Sequence, residues 1–335
     1  MAETKRGGID LGGTKIQAVI VDDRNAVLGQ SRRPTPTTGG PDDVVRQMAA
    51  TLKEAAAAAS TDTGALAGVG VGAPGAADSA AGTLAHAGNL PGWSKPYPLA
   101  ARLSELVGPA VFLGNDVGVA VDAEFQLGAG KPYRSLLGVW WGTGVGGGVI
   151  LNGEHWAGRG AAGEFGHIVV RLGGRKEVGA AGLTGTVEAY AGRAAMEARA
   201  RSLAAKGVKT DLFRIMEKKG RTRLASGVWA AALKRNDELA VKLVDRAVEV
   251  LGAGIASVVT LLDLEAVVIG GGLGSRLGAP YADRIAHEMR RHLFQKERPP
   301  AVHVAKLGDL GGAVGAALLV EDVAKSAQVS SVRAL

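Results

Sequence analysis

No cysteine occurs in the 335 residues. That absence removes disulfides, thiolate nucleophiles and Cys-based metal centres from consideration. Aromatic residues are few, with five Trp, four Tyr and five Phe, and the composition is instead that of an Ala/Gly/Val-rich α/β protein. No apolar run reaches the roughly 18 residues of a membrane span. The opening Met1-Ala2-Glu3-Thr4-Lys5-Arg6 lacks the apolar core of a secretion signal, so a cytoplasmic protein without membrane contact is expected. A block of like charge is missing too. The net charge of +7 scatters through Arg32-Arg33, Arg199 to Lys219, Arg221 to Arg223 and Arg290-Arg291, which suits anionic substrates better than nucleic acid.

Against those absences stand 47% hydrophobic and 21% charged residues, enough for large cores and two domains. Periodicity predicts strands entering Asp10 and at Ile16 to Val21 and Ala26 to Ser31. It continues with a helix near Asp42 to Ser60, a strand at Val69 to Ala73, a helix around Leu99 to Val107, a strand at Ala110 to Leu113 and a helix after Asp116. The second half repeats this order. Strands are expected at Ser135 to Trp141, Gly146 to Leu151 and Glu154 to Trp156, a long helix over Asp237 to Leu262, and a strand at Ala266 to Ile269. A helix over Pro280 to Leu293, a strand at Val302 to Ala305 and a last helix from Ala313 to Ala324 complete it. The expected division is a small N-terminal α/β domain over 1–115 and a larger α/β domain over 116–310. An insertion at about 171–224 would carry one helix near Val187 to Ala205, and a final helix at about 311–325 would pack back on the first domain. Two such units facing one another would place glycine turns from each on a shared central cleft.

Asp10-Leu11-Gly12-Gly13-Thr14-Lys15 puts a carboxylate and a glycine turn between two apolar runs. Gly12 and Gly13 can take positive φ and let backbone N–H groups approach an anion, Thr14 and Lys15 add donors and charge, and Asp10 can hold a hydrated metal ion. The same residues also suit a plain β-hairpin turn. A second turn, Gly142-Thr143-Gly144-Val145-Gly146-Gly147-Gly148, follows the strand ending at Trp141. Gly142, Gly144 and Gly147 fit the spacing of a dinucleotide fingerprint, but Val149 to Gly153 reads as strand and turn where that fingerprint needs a helix. Matching glycine turns in both halves favour a pair of phosphate loops, and a branched side chain at Gly144 is expected to hinder the nucleotide more than the other substrate. Asn115-Asp116 ends a buried strand and begins a helix, either as an ordinary N-cap or as a carboxylate able to accept a hydroxyl proton. Glu164-Phe165-Gly166-His167 and the loop Asn89-Leu90-Pro91-Gly92-Trp93 offer carboxylate, imidazole and amide groups suited to polyol hydroxyls. Ile269-Gly270-Gly271-Gly272-Leu273-Gly274 leaves a buried strand and suits backbone packed on a nucleoside, or a tight strand-to-helix turn.

In this order the motifs resemble the ROK family of sugar kinases and repressors, within the sugar kinase/Hsp70/actin superfamily, from about Gly7 to Ala324. The resemblance implies two actin-like, ribonuclease H-like domains and ATP-dependent phosphorylation of a hexose, glucose first. It makes Asp116 the base and gives Asn89, Asn115, Asp116, Glu164, His167 and Glu188 to the sugar. Gly12, Gly13, Thr14, Lys15, Gly142, Thr143 and Gly144 fall to the phosphates of ATP, Gly271 and Gly272 to adenosine, and Asp10 to Mg²⁺ through water. A homodimer or homotetramer is implied. Fructose, mannose, N-acetylmannosamine or polyphosphate as alternative substrates stay open. The family's repressors add an N-terminal helix-turn-helix, for which the nine residues before Asp10 are too short. One departure stands out. Where members commonly carry Cys-x-Cys-Gly-x-x-Gly-Cys-x-Glu, with three thiolates and the motif His holding zinc, this chain reads Gly179-Ala180-Ala181-Gly182-Leu183-Thr184-Gly185-Thr186-Val187-Glu188. Gly179, Ala181 and Thr186 take the cysteine places, so no zinc site is expected.

Overall fold

The computed structural model describes residues 4–88, 90–178 and 182–321. Two compact units divide the chain, the first taking it up to Leu127 and again from Leu307, the second spanning Gly128–Lys306.

In unit 1, β1 (Arg6–Leu11), β2 (Lys15–Val21) and β3 (Val27–Pro34) form an antiparallel meander, and α1 (Pro41–Ala58) leads to β4 (Val69–Ala73). A short hairpin of β5 (Ala76–Asp78) and β6 (Thr83–Ala85) precedes α2 (Leu99–Val107), β7 (Val111–Asn115) and α3 (Asp116–Gln126). The sheet order is β3-β2-β1-β4-β7, with β1, β4 and β7 parallel. On α1, Val44, Val45, Met48, Leu52, Ala55 and Ala56 recur at helical spacing and are buried against Ile9, Leu11, Ile16, Val69 and Val71. The far face of the sheet is covered by a helix over 311–321, whose Ala313, Val314 and Ala317 cluster with Val19 and Val21. The buried Arg6 guanidinium ties that helix down. It donates to Glu321 and also to the Asp22 carbonyl at 2.7 Å and Asn25 Oδ1 at 3.0 Å, as a charge this deep in a core requires.

Unit 2 builds the same pattern from β8 (Leu136–Trp141), β9 (Val145–Leu151) and β10 (Glu154–His155), followed by α4 (Val187–Ala191), α5 (Arg193–Ala204), α6 (Leu212–Lys218) and α7 (Ser226–Leu233). The long α8 (Glu238–Leu262), β11 (Ala266–Gly270), α9 (Gly271–Leu277), α10 (Ala279–His292) and β12 (Ala301–Val304) complete it. Its order, β10-β9-β8-β11-β12, repeats that of unit 1 strand for strand, with β8, β11 and β12 parallel. This is the actin-like, ribonuclease H-like arrangement in duplicate. Asp237 caps α8 by accepting from Ala240 N at 2.8 Å, and Asp263 ends it in the left-handed conformation at φ 51°.

Three local expectations are corrected. The single helix over Val187 to Ala205 is two helices, because Gly192 turns extended (φ −55°, ψ 131°) and starts α5 afresh. The break lets the first N–H groups of α5 reach the glycine turn of β8: Arg193 N donates to Gly142 O at 3.2 Å and Ala194 N to Thr143 O at 2.9 Å. The charged stretch beyond it holds α6, with Leu212, Ile215 and Met216 buried, and α7 follows with Val228 and Trp229 buried. Helices this short leave too few apolar positions for a clear period. The three-residue strands β5 and β6 escape notice for the same reason.

Candidate active site

In unit 1, the sheet brings its polar residues to one edge. Asp10 on β1 is level with Gly72 on β4, and Gly72 with Gly114 on β7, so Asp10 and the Asn115-Asp116 pair sit at the carboxyl ends of parallel strands, two strand spacings or about 10 Å apart. Ligands of open α/β sheets bind at that edge. Gly12 N donates to Lys15 O at 3.0 Å and closes the β1–β2 hairpin. Gly12 and Gly13 both keep φ out of the left-handed range, which among the six glycines expected at phosphate or nucleoside is taken only by Gly271, at φ +77°. The freedom of these two glycines to take positive φ is therefore not used in this turn, where a Cβ on Gly12 would come 3.2 Å from Lys15 O. Lys15 Nζ donates to Gln17 Oε1 at 3.0 Å, and Gln17 lies opposite Asp10 in the ladder. Burial pushes the half-buried Asp10 carboxyl above its ordinary range, Lys15 pulls it back, and the Asp309 charge raises it again.

Asp116 is the first residue of α3 and half-buried. Its neighbour Asn115 is the N-cap, with Oδ1 accepting from Val117 N and Gly118 N, both at 3.0 Å. Capping thus consumes the amide oxygen of Asn115 and leaves its NH₂ as the group available to a ligand.

The remaining expected residues among those described belong to unit 2. Gly142-Thr143-Gly144 closes the β8–β9 hairpin, with Gly142 N donating to Gly144 O at 3.0 Å, in the position that Gly12 to Thr14 occupies in unit 1. Beside it, α9 begins at Gly271, and a Cβ on Gly142 would stand 3.9 Å from Gly272 N. Sequence reasoning missed Arg193, which joins these pieces. Its guanidinium donates to Thr143 Oγ1 at 2.6 Å and Ser226 Oγ at 3.2 Å, and desolvation holds its pKa below the usual guanidinium value, against the Glu197 charge. A cation at the first position of a helix opposes the macrodipole. Only the break at Gly192 could have flagged it.

Glu188 accepts from Val145 N at 2.8 Å, and a Cβ on Gly144 would lie 2.2 Å from Glu188 Oε2. The bare glycine at 144 leaves room for this carboxylate, so a branched residue there would press on Glu188 as well as on the turn expected to meet the nucleotide. Burial raises the Glu188 pKa, with the Val145 hydrogen bond and His167 opposing and Glu177 and Glu164 adding to it. Phe165–His167 forms one 3₁₀ turn after Glu164, pressed on β9 so closely that a Cβ on Gly166 would meet Val145 O at 1.9 Å. His167 Nε2 is 3.8 Å from Glu164 Oε2, and Nδ1 is 2.8 Å from Oε1 of Glu177. Glu177 was not foreseen. Asn89 and, in the zinc frame, Gly179 and Ala181 lie outside the described residues.

The donor set does not fit a structural zinc. Gly179 and Ala181 carry no ligating side chain, Thr186 offers a hydroxyl that bonds Glu177, and the His167 nitrogen on that side is bonded to the same carboxylate. Among the described residues no cluster of three or more His, Asp or Glu could hold a metal ion. Purified protein is expected to contain less than about one-tenth of a zinc per chain, and a zinc-selective chelator should move neither its melting temperature nor its activity with Mg²⁺ present. Stoichiometric zinc by elemental analysis would contradict this.

Two α/β units of one strand order, each with a glycine turn closing its first hairpin, define a protein of the sugar kinase/Hsp70/actin class. Residues 6–323 match the ROK family, to which this chain belongs. A glucokinase of Thermotoga maritima is 32% identical over 279 residues, 83% of this chain and 84% of that protein. The N-acetylgalactosamine kinase AgaK of Shewanella sp. strain ANA-3 is 32% identical over 319 residues, 93% of this chain and 95% of that protein. The crystal structure of a ROK family glucokinase from Streptomyces griseus, in complex with glucose and AMPPNP, is 30% identical with a TM-score of 0.80, covering 96% of this chain and all of that one.

Proposed function

We propose that this protein is an ATP-dependent glucokinase that transfers the γ-phosphoryl group to the 6-hydroxyl of glucose. The observation that carries the reading is the Glu188 carboxylate seated against Gly144 and Val145: a group suited to fixing hydroxyls rests on a turn suited to phosphates. Similarity to glucokinases of Thermotoga maritima and Streptomyces griseus supports the substrate pair.

Phosphoryl transfer is largely positioning and charge neutralisation. In this reading Asp116 accepts the proton of the attacking hydroxyl, while the Asn115 amide, Glu164, His167 and Glu188, with Asn89, fix the other hydroxyls. Thr14, Lys15, Thr143 and the backbone of both glycine turns receive phosphates, and Gly271-Gly272 packs on adenosine. Asp10, pressed by burial and by Asp309, is suited to hold the hydration shell of Mg²⁺, which supplies positive charge to the phosphates. A cytoplasmic homodimer or homotetramer with no nucleic-acid partner belongs to the same proposal. Coupled assay of ADP release with ATP·Mg²⁺ should give glucose the highest kcat/KM among glucose, mannose, fructose, N-acetylmannosamine and N-acetylgalactosamine, and polyphosphate should serve poorly as donor. The AgaK similarity favours a second reading, kinase of an N-acetylhexosamine, and preference for such a sugar would establish it.

Arg193 gives a sharper check on the donor side. A half-buried guanidinium whose hydrogen bonds, among the described residues, go to the neutral hydroxyls of Thr143 and Ser226 gains most from an anion. Arg193→Ala should raise KM for ATP by roughly tenfold or more, the worth of a charge-assisted hydrogen bond, and leave KM for glucose within about twofold. Equal effects on both substrates would place the guanidinium elsewhere in the chemistry.

A further inference from the structure

Glu177 has a side chain that is 1% exposed and is used by nothing in the reaction described above. Its Oε1 receives two partners, Nδ1 of His167 at 2.8 Å and the hydroxyl of the fully buried Thr186. Backbone bonds lace the surrounding segments together. Val187 N donates to Ile168 O at 3.0 Å, Val170 N to Gly185 O at 2.8 Å, Gly185 N to Arg175 O at 2.7 Å and Glu177 N to Leu183 O at 2.8 Å. Three stretches of chain, around His167, Glu177 and Thr186, therefore converge on one carboxylate. His167 ends the sugar-motif turn, and Thr186 caps the helix that carries Glu188. Thr186 also stands where the cysteine-bearing frame would place a zinc thiolate.

We propose that Glu177 is the positioning residue of the sugar site, a buried carboxylate that orients His167 and joins its turn to the Glu188 helix where the cysteine-bearing frame would use a metal ion. The proposal rests on the reading of His167 as a ligand of sugar hydroxyls. A carboxylate is acceptor-only, so in the neutral imidazole the proton is on Nδ1 and Nε2 is left as an acceptor directed away from Glu177. A ligating histidine whose second nitrogen is held by a carboxylate is a common way of fixing ring and tautomer, and here the ligand is a hydroxyl. The charged groups facing the ring are Glu177, Glu188 and Glu164. Burial pulls its pKa down, but the Glu177 hydrogen bond and the three carboxylate charges outweigh that and leave it above the ordinary value of 6.5. The resulting stabilisation is complete below the unfolded imidazole value and is lost as pH rises through the folded one.

Steady-state kinetics with glucose on Glu177→Gln, His167→Ala and the double variant test the assignment. Glu177→Gln should raise KM for glucose roughly tenfold with kcat within about twofold, a loss of orientation in binding and not in the chemical step. The pH midpoint of the KM profile should move down, because the imidazole has lost the carboxylate that raises it. His167→Ala should raise KM as well, and the double variant should be no worse than the poorer single variant, since both act through one ring. An unchanged KM in Glu177→Gln, or full additivity, alongside a raised KM in His167→Ala overturns the role of Glu177 alone. A normal KM in His167→Ala overturns the sugar-ligand reading and the proposal with it. Should Glu177→Gln not fold, ¹⁵N NMR of the unaltered protein, at a pH above the folded pKa of His167, decides: a neutral ring protonated on Nδ1 is expected, and one protonated on Nε2 contradicts the assignment.

Discussion

Asp116→Asn should lower kcat for glucose phosphorylation by about 10²–10⁴-fold, the range for loss of a general base, while the calorimetric Kd for glucose stays within about threefold. The substitution preserves shape and removes only the capacity to take a proton. It also spares the local fold, because the helix is capped by Asn115 through Val117 N and Gly118 N, and Val117 N can still donate to an amide oxygen where it now meets Asp116 Oδ1 at 3.0 Å. An unchanged melting temperature is therefore part of the expectation. Position matters as much as chemistry: the carboxylate stands in the first turn of α3, directly after the carboxyl end of β7. A kcat within threefold of the parent would take Asp116 out of the reaction.

Gly144→Val is expected to be nearly as damaging, and on both substrates. The new Cβ would fall 2.2 Å from Glu188 Oε2, so the carboxylate must abandon Val145 N, to which it now bonds at 2.8 Å. That displaces a sugar ligand and reshapes the phosphate turn together, and kcat/KM for glucose should drop by about 10²-fold or more, near 2.7 kcal/mol of transition-state stabilisation. Glu188→Gln, which keeps the shape and can still accept from Val145 N, should lose less. If Gly144→Val weakened ATP use and left glucose affinity normal, the seating of Glu188 against the turn would have no functional weight.

The sequence and the structure agree best where one physical signal dominates. The strands at Val69–Ala73 and Leu136–Trp141 and the long helix to Leu262 are legible because apolar period and end signals such as the Asp237 cap coincide. The repeat of two units was also legible, from the order of strands and helices alone. Glycine was harder to read. At Gly12 and Gly13 it suggested left-handed backbone that the turn does not use, and at Gly144 the reason for it is a carboxylate 44 residues away, which no local pattern encodes. Arg193 and Glu177 escaped for a like cause. Each is an unremarkable charge in a charged stretch until the break at Gly192 or the pairing of segments 175–177 and 183–185 brings it beside Thr143 or His167. The cysteine-free frame could be recognised as an absence, but only the folded chain shows which carboxylate His167 and Thr186 share.

The transfer itself can be followed most directly with ATP labelled on the γ-phosphate, glucose and Mg²⁺, with the product identified by ³¹P and ¹H NMR. The account predicts that the label appears as glucose 6-phosphate in step with ADP and that 6-deoxyglucose competes with glucose but accepts nothing. Label released only as inorganic phosphate, or transfer confined to another hydroxyl or to another sugar, would contradict it.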